Sequence, residues 1–300
     1  MKESKIICFG EILWDNLKEG RRLGGAPLNV CYHLQKMGIK SAIITRIGDD
    51  RNGRDILAEL QKLQVDTTFC TVSKELPTST VEVHLKENHQ VDYEIVENVA
   101  WDEMQTTPEM EQAVSEADAF VFGSLVTRSQ TSRQTLMALL EKSRYRVFDV
   151  NLRAPFYRWE IIQQLLQKTN LLKLNEDELQ IIMEWLKQED SIVEEQLERL
   201  QGHFQSIDTI LLTQGARGAQ CYSQGKHEKV QALKVNVKDT VGSGDAFLAA
   251  FLAGKFSGKT IGASLEQASL LSGFVATHDG ACPHYEKQDL LSLRNAVQSL

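Results

Sequence analysis

Between Asp239 and Phe247 the chain reads Asp-Thr-Val-Gly-Ser-Gly-Asp-Ala-Phe, a glycine-rich turn that runs straight into an apolar stretch. Gly242 and Gly244 let the backbone turn tightly and approach a ligand with no Cβ in the way. Phe247, Leu248, Phe251 and Leu252, set among alanines, are apolar nearly all round and predict a buried helix. Amides at the start of such a helix lack partners, and the positive end of its dipole adds to them, so the spot suits a phosphate. Asp245 lies in the same turn, where a carboxylate would repel a resting anion. It makes better sense as a base that takes a proton from a hydroxyl, while the turn at Gly242, Ser243 and Gly244 holds the developing phosphoryl charge. For the turn taken alone, a helix-capping aspartate is the simpler account. No Lys-Ser/Thr follows the glycines, so this is not a Walker loop, and the spacing is not that of a dinucleotide fingerprint.

Other polar residues fall where a parallel sheet would gather a ligand, beyond the carboxyl ends of its strands. Asp15, a few residues past the strand-like run Lys5–Gly10, could accept two hydroxyl hydrogens at once. Asp149, Asn151 and Arg153 close another run, and the permanent, forked charge of Arg153 fits a phosphate oxygen. Asn175 and Glu178 open a helical pattern and read equally well as a capping box. Thr213, Gly215 and Gly218 form a strand-to-turn element, with a plain turn between strands as the simpler use. Asp49 is a weaker candidate that helix capping explains nearly as well. The two histidines and cysteine of His278–His284 crowd a short loop without zinc-type spacing.

The elements that must position these residues alternate. Strands are expected at Lys5–Gly10, Ser41–Ile47, Ala119–Gly123, Arg146–Val150, Leu171–Leu174 and Thr209–Thr213. Helices are expected near 27–37, 53–63, 131–143, 159–169 and 176–187, with Pro27 in a first turn that tolerates it. That rhythm implies an α/β fold, a mostly parallel sheet with helices on both faces. One segment departs from it. Val81, Val83 and Leu85 alternate with polar residues, the turn Glu87–Gln90 follows, and Val91, Tyr93 and Ile95 alternate again. This predicts an antiparallel hairpin with one wet face, whose apolar face needs a partner surface.

With 33 basic and 41 acidic residues the net charge is −8, which argues against a nucleic-acid or anionic-membrane surface. Five scattered cysteines without a C-x-x-C suggest reduced thiols rather than a disulfide framework. No apolar run approaches the roughly 20 residues needed to span a bilayer, and the N-terminus does not read as a signal peptide. A cytoplasmic protein is expected.

Asp239–Phe247 resembles the C-terminal signature of the PfkB (ribokinase-like) carbohydrate kinases, D-T-x-G-x-G-D-x-F. Arg22-Leu-Gly-Gly-Ala-Pro-Leu-Asn29 resembles the family's N-terminal Gly-Gly turn. Asp149-Val-Asn-Leu-Arg153, Leu174-Asn-Glu-Asp-Glu178 and Thr213-Gln-Gly-Ala-Arg-Gly218 match its remaining elements in order. The Gly24–Asn29 turn, Asn98–Trp101, Phe122–Leu125 and the Arg153…Trp159 pairing look more like fructokinases than ribokinases. The resemblance implies a ribokinase-like three-layer fold as one domain over residues 1–300, with a small β lid from strands within 11–23 and 78–98. It implies an ATP-dependent kinase for a primary sugar hydroxyl, with D-fructose leading and 2-keto-3-deoxygluconate, ribose or a nucleoside behind. A non-catalytic sugar sensor on the same fold is the remoter alternative. Asp245 would be the base, and Asp15, Gly25 and Asn29 would hold the sugar. Asn175, Glu178, Thr213, Gly215, Gly218 and Arg153 would attend the nucleotide. Glu178 would organise Mg²⁺ through water, and Asp239 and Val241 would belong to a loop for a monovalent cation such as K⁺. The end of the His278–His284 region would lie near adenine. The resemblance also implies a homodimer joined through the lid.

Overall fold

The six apolar runs singled out above are strands, and they pair side by side. The computed structural model describes residues 4–17, 20–85, 91–188 and 191–298. Among these the strands are β1 (Lys5–Phe9), β2 (Leu13–Leu17), β3 (Gly20–Gly24), β4 (Lys40–Gly48), β5 (Cys70–Ser73), β6 (Ser79–Leu85), β7 (Val91–Ile95), β8 (Ala119–Gly123), β9 (Arg146–Asp149), β10 (Leu171–Asn175), β11 (Thr209–Thr213), β12 (Ala219–Ser223) and β13 (Lys226–Val230). The helices are α1 (Ala26–Lys36), α2 (Arg51–Lys62), α3 (Pro108–Glu116), α4 (Gln130–Lys142), α5 (Trp159–Lys168), α6 (Glu176–Leu186), α7 (Val193–His203), α8 (Ser243–Phe256), α9 (Ile261–Ala276) and α10 (Lys287–Gln298).

Nine strands form one sheet in the order β13-β12-β11-β10-β9-β8-β1-β4-β5. Pairing is parallel from β5 to β11 and antiparallel only at the β11-β12-β13 edge. The charged strand β13, Lys-His-Glu-Lys-Val, guards that edge against further pairing. Strand alternation divides the core in two. Ile6 and Cys8 of β1 join a cluster with α1, α2, α8 and α9, while Ile7 and Phe9 join one with α3 to α7. The result is three layers, helix–sheet–helix, as the alternating pattern requires. Helix α8 is buried from Ala246 to Gly254, which is why its sequence carries no polar face.

The hairpin of β6 and β7 is not an edge of this sheet. It joins a second, four-stranded sheet of order β3-β2-β6-β7, in which β6 lies parallel to β2. Arg128 anchors its base. The guanidinium donates to both Asp102 carboxylate oxygens at 2.8 Å and to the Val96 carbonyl at 2.7 Å, and stacks 3.9 Å from the Trp101 ring centroid. The turn at Glu87–Gln90 and the side chains of Val83, Leu85, Val91 and Tyr93 lie outside the described residues.

The chain enters the main sheet at β1, proceeds outward to β5, and returns across β1 to β8. Such a reversal opens a crevice at the carboxyl ends of β1 and β8, the place where open α/β sheets bind ligands.

Candidate active site

Around that crevice the strand ends deliver Glu11 after β1, Asn151 and Arg153 after β9, Asn175 at the end of β10 and Thr213 at the end of β11. Helix α8 arrives from the other side with Gly242 at its N-terminus in the left-handed region, φ 76°. A Cβ at Gly242 would stand 2.3 Å from the Ala281 Cβ, so only glycine fits both the dihedral and the space. The Ser243 hydroxyl is buried without a partner beside the amides of this turn, an arrangement that suits an anion's oxygens.

Beneath the turn lies a buried ion pair that the sequence reading passed over. Lys173 Nζ donates to Asp149 Oδ1 at 2.8 Å, and both residues are almost wholly buried. A Cβ at Gly244 would stand 3.2 Å from that Nζ. Burial alone would discharge Lys173, but the carboxylates of Asp149, Asp245 and Glu178 outweigh it and hold the ammonium above its usual range. A lysine inside the apolar run Leu-Leu-Lys-Leu, in register with Asp149 on the next strand, was the available signal.

Asp245 sits in the first turn of α8 and accepts a hydrogen bond from Asn29 Nδ2 at 2.7 Å. Removal from water and the charge of Asp149 raise its carboxyl to about 6, against the opposing pull of Lys173, Asn29 and Arg153. A general base works best when its pKa approaches the working pH. Asn29 is itself oriented from behind by the Cys282 thiol, which donates to its Oδ1 at 3.4 Å.

Glu11 was also overlooked. Its side chain is buried, one carboxyl oxygen has no partner, and it lines the same cavity as Asp15, Asn29 and Asp245. Burial pushes its carboxyl up to about 7; the amides of Glu11 and Ala26 and the charge of Arg153 oppose this, and Asp245 adds to it. Asp15 belongs to β2 of the four-stranded sheet, opposite Arg22 in register. Burial raises its carboxyl as well, with Arg153 opposing. Gly24 and Gly25 are required by close approach: a Cβ at Gly24 would stand 2.5 Å from Asp15 Oδ2, and one at Gly25 2.3 Å from the Glu11 carbonyl.

Two cavities meet at the Gly242–Gly244 turn. The first, about 960 Å³, is lined by Glu11, Asp15, Asn29, Arg153 and Asp245, together with Val81 and Ile95 of the β6–β7 hairpin. The second, about 940 Å³, is walled by Ala232–Val237, Phe247, Gly273 and Ala276, with Gly215 and Gly218 at its rim. Asn175, Thr213, Thr240 and Gly244 border both. Residues of α9 up to Ala276 line the second cavity, while Asp279–Ala281 line the first.

Glu178 forms the reciprocal capping box with Asn175 at the start of α6. Its Oε2 accepts from the Asn175 amide at 2.9 Å and its Oε1 from the Leu152 amide at 3.0 Å. Each oxygen thus carries one backbone donor, which leaves about two of the carboxylate's four lone-pair positions free to accept from water. Among the described residues no three His, Cys, Asp or Glu side chains converge to hold a metal, the His278 loop included. The turn is nevertheless ringed by Glu11, Asp149, Glu178 and Asp245 against Lys173 and Arg153. A polyphosphate arriving there needs a divalent counter-charge of its own. Asp49 is exposed and pairs with Arg54, and Asp50 caps α2 in its place by accepting from the Gly53 amide.

Residues 3–288 match the family model described as pfkB family carbohydrate kinase. The chain belongs to that family, and it is a sugar kinase. It is similar to a fructokinase of Klebsiella pneumoniae, 31% identical over 83% of this chain and 84% of that protein. An uncharacterized sugar kinase from Pyrococcus horikoshii, solved in complex with ATP, aligns with TM-score 0.76 and 28% identity over 98% of this chain and 100% of that one. A fructokinase double mutant from Vibrio cholerae, described as bound to fructose, ADP and potassium ion, aligns with TM-score 0.82 and 23% identity over 97% of this chain and 98% of that one. The last supports the ribokinase-like fold alone. Among the described residues no helix is long and apolar enough to cross a membrane.

Proposed function

We propose that this chain, as one domain, transfers the γ-phosphate of ATP to a primary hydroxyl of D-fructose. The observation that carries the reading is the meeting of a carboxylate-lined cavity and a more apolar cavity at one anion turn, with Asp245 on the acceptor side. The more apolar cavity suits a purine; Thr213, Gly215, Gly218 and Asn175 line it, and Thr213 and Asn175 border the other cavity as well. Glu11, Asp15 and Asn29 offer acceptors for the hydroxyls of a neutral sugar, and Gly25 lets the backbone approach it. Similarity to the Klebsiella fructokinase favours fructose among neutral sugars.

Asp245 takes the proton of the acceptor hydroxyl, and the Gly242–Gly244 amides receive the charge that develops on the transferring group. Lys173 supports this turn from below, and Arg153 clamps a phosphate oxygen from the side. Mg²⁺ bound with the nucleotide, reached by Glu178 and Asn175 through water, would neutralise phosphate charge. Val81 and Ile95 close over the acceptor and exclude water that would otherwise hydrolyse ATP.

An acceptor with a carboxylate, such as 2-keto-3-deoxygluconate, is a second reading, favoured by Arg153 on the wall of the acceptor cavity. ADP release measured across neutral sugars, sugar acids and nucleosides tests both. Fructose should lead in kcat/KM; a sugar acid or nucleoside ahead by tenfold would replace it, and no ADP from any acceptor would leave only the sensor alternative. We extend the proposal to a homodimer joined through the lid sheet, and light scattering on the unmodified protein tests it.

A further inference from the structure

Arg22 belongs to the lid strand β3, yet its guanidinium reaches the loop that opens the anion turn. Nη1 donates to Asp239 Oδ2 at 3.0 Å, and Nη2 stands 4.0 Å from Asp279 Oδ1. Asp239 also accepts from the Val241 amide at 3.0 Å and from the Gly280 amide at 3.1 Å. These donors fill three of the roughly four lone-pair positions of a carboxylate, and one of them is itself a cation. Burial would raise the Asp239 carboxyl, but the two amides and Arg22 outweigh it and hold it below the usual range.

The Asp239 carboxylate, expected beside a monovalent cation, therefore already faces a cation of the chain's own: it is held by the Arg22 guanidinium and by the Val241 and Gly280 amides. The position matters because two loops meet there. Residues 239–241 lead directly into Gly242, and Ala281, two residues past Asp279, is the neighbour that a Cβ at Gly242 would strike. The guanidinium between Asp239 and Asp279, the second of which also accepts from Lys238, ties both loops together and so fixes the turn between them. Arg22 is also two residues from Gly24 and pairs in register with Asp15, so the strand that carries the charge carries the acceptor contacts too.

We propose that Arg22 supplies from the lid the positive charge that sets the anion turn, so that the enzyme needs no monovalent cation and its turn is ordered only when the lid strand is in place. The inference rests on the kinase reading above. Arg22 is then a positioning residue for the turn; because it also lines the acceptor cavity, the melting temperature without substrates is the readout that an acceptor contact would not move.

The test compares the unmodified protein with Arg22→Gln and Arg22→Lys in buffers of equal ionic strength containing either K⁺ or tetramethylammonium. Two quantities are read in each buffer: ADP release with ATP and the best acceptor, and the melting temperature without substrates. The unmodified protein should show the same turnover and melting temperature in both buffers. Arg22→Gln should lose about tenfold in kcat in tetramethylammonium, the scale of one charge-assisted hydrogen bond. It should then regain turnover and melting temperature when K⁺ is supplied, whereas Arg22→Lys should stay indifferent to K⁺. Stimulation of the unmodified protein by K⁺, or an Arg22→Gln protein that behaves like it in both buffers, overturns the proposal. If no acceptor yields ADP, the kinase reading fails while the melting temperatures still decide whether Arg22 replaces the ion.

Discussion

Replacing Asp245 by asparagine tests the proposed base while leaving the shape of the site in place. The two side chains have the same shape, and the 2.7 Å hydrogen bond from Asn29 Nδ2 can be kept by the new amide oxygen. Lys173 retains Asp149 at 2.8 Å, so the support beneath the turn survives the loss of one carboxylate. The amides of Gly242, Ser243 and Gly244 are unaffected, and ATP should bind as before. What disappears is the only function an amide cannot copy, acceptance of the hydroxyl proton. Positioned acid–base catalysis is worth about 10²- to 10⁴-fold, which corresponds to about 3–5 kcal/mol of barrier. The loss should fall on kcat, with KM for acceptor changed far less. Steady-state ADP release together with nucleotide binding by calorimetry separates the two. A variant that turns over within a few-fold of the unmodified protein, with its fold intact, would remove Asp245 from the mechanism.

Because Asp245 is raised to about 6, kcat/KM should fall on the acid side of about pH 6 instead of near the 3.8 of an ordinary aspartate, and a limb near pH 4 in a pH–rate profile would contradict that environment. Asp15→Ala should raise the KM for acceptor by about 5- to 150-fold, the range of a lost buried hydrogen bond or two, while an unchanged KM would place the sugar elsewhere. Lys173→Met strands the Asp149 carboxylate in the core and should cost about 3–5 kcal/mol, read as a fall in denaturation midpoint; a midpoint within error of the original would mean that the pair is not buried in solution. Glu11 is raised from 4.5 to about 7 in the folded chain, so its contribution to stability is lost as pH rises through that interval. Glu11→Gln should therefore melt higher than the unmodified protein at pH 8 and no higher at pH 4, and the reverse order would show a carboxylate stabilised by its surroundings.

Much of this molecule is written in local pattern. The periods of two and 3.6 residues placed six strands of the main sheet and five of its helices within a residue or two, because an element buried on a sheet must repeat its apolar residues at its own pitch. The glycines of the anion turn were equally legible, since a left-handed dihedral and a close approach leave glycine as the choice at Gly242. Strands β12 and β13 were not: β12, Ala-Gln-Cys-Tyr-Ser, is buried but mixed in character, and the outer β13 is charged and half wet, so neither carries an apolar signature. Nor did the sequence separate the two uses of Glu178: a capping box and a metal-organising acid share the same residues, and only the backbone amides of Asn175 and Leu152 show where both oxygens go. The Lys173–Asp149 pair, the buried Glu11 carboxyl and the Arg22–Asp239 contact join residues 24, 234 and 217 positions away from their partners, counting from Glu11 to Asp245 for the second. Such neighbours follow from how strands are ordered in a sheet and how a lid folds back over it. Charge and burial, and with them the pKa shifts on which the proposed base and the proposed cation substitute depend, therefore belonged to the tertiary structure alone.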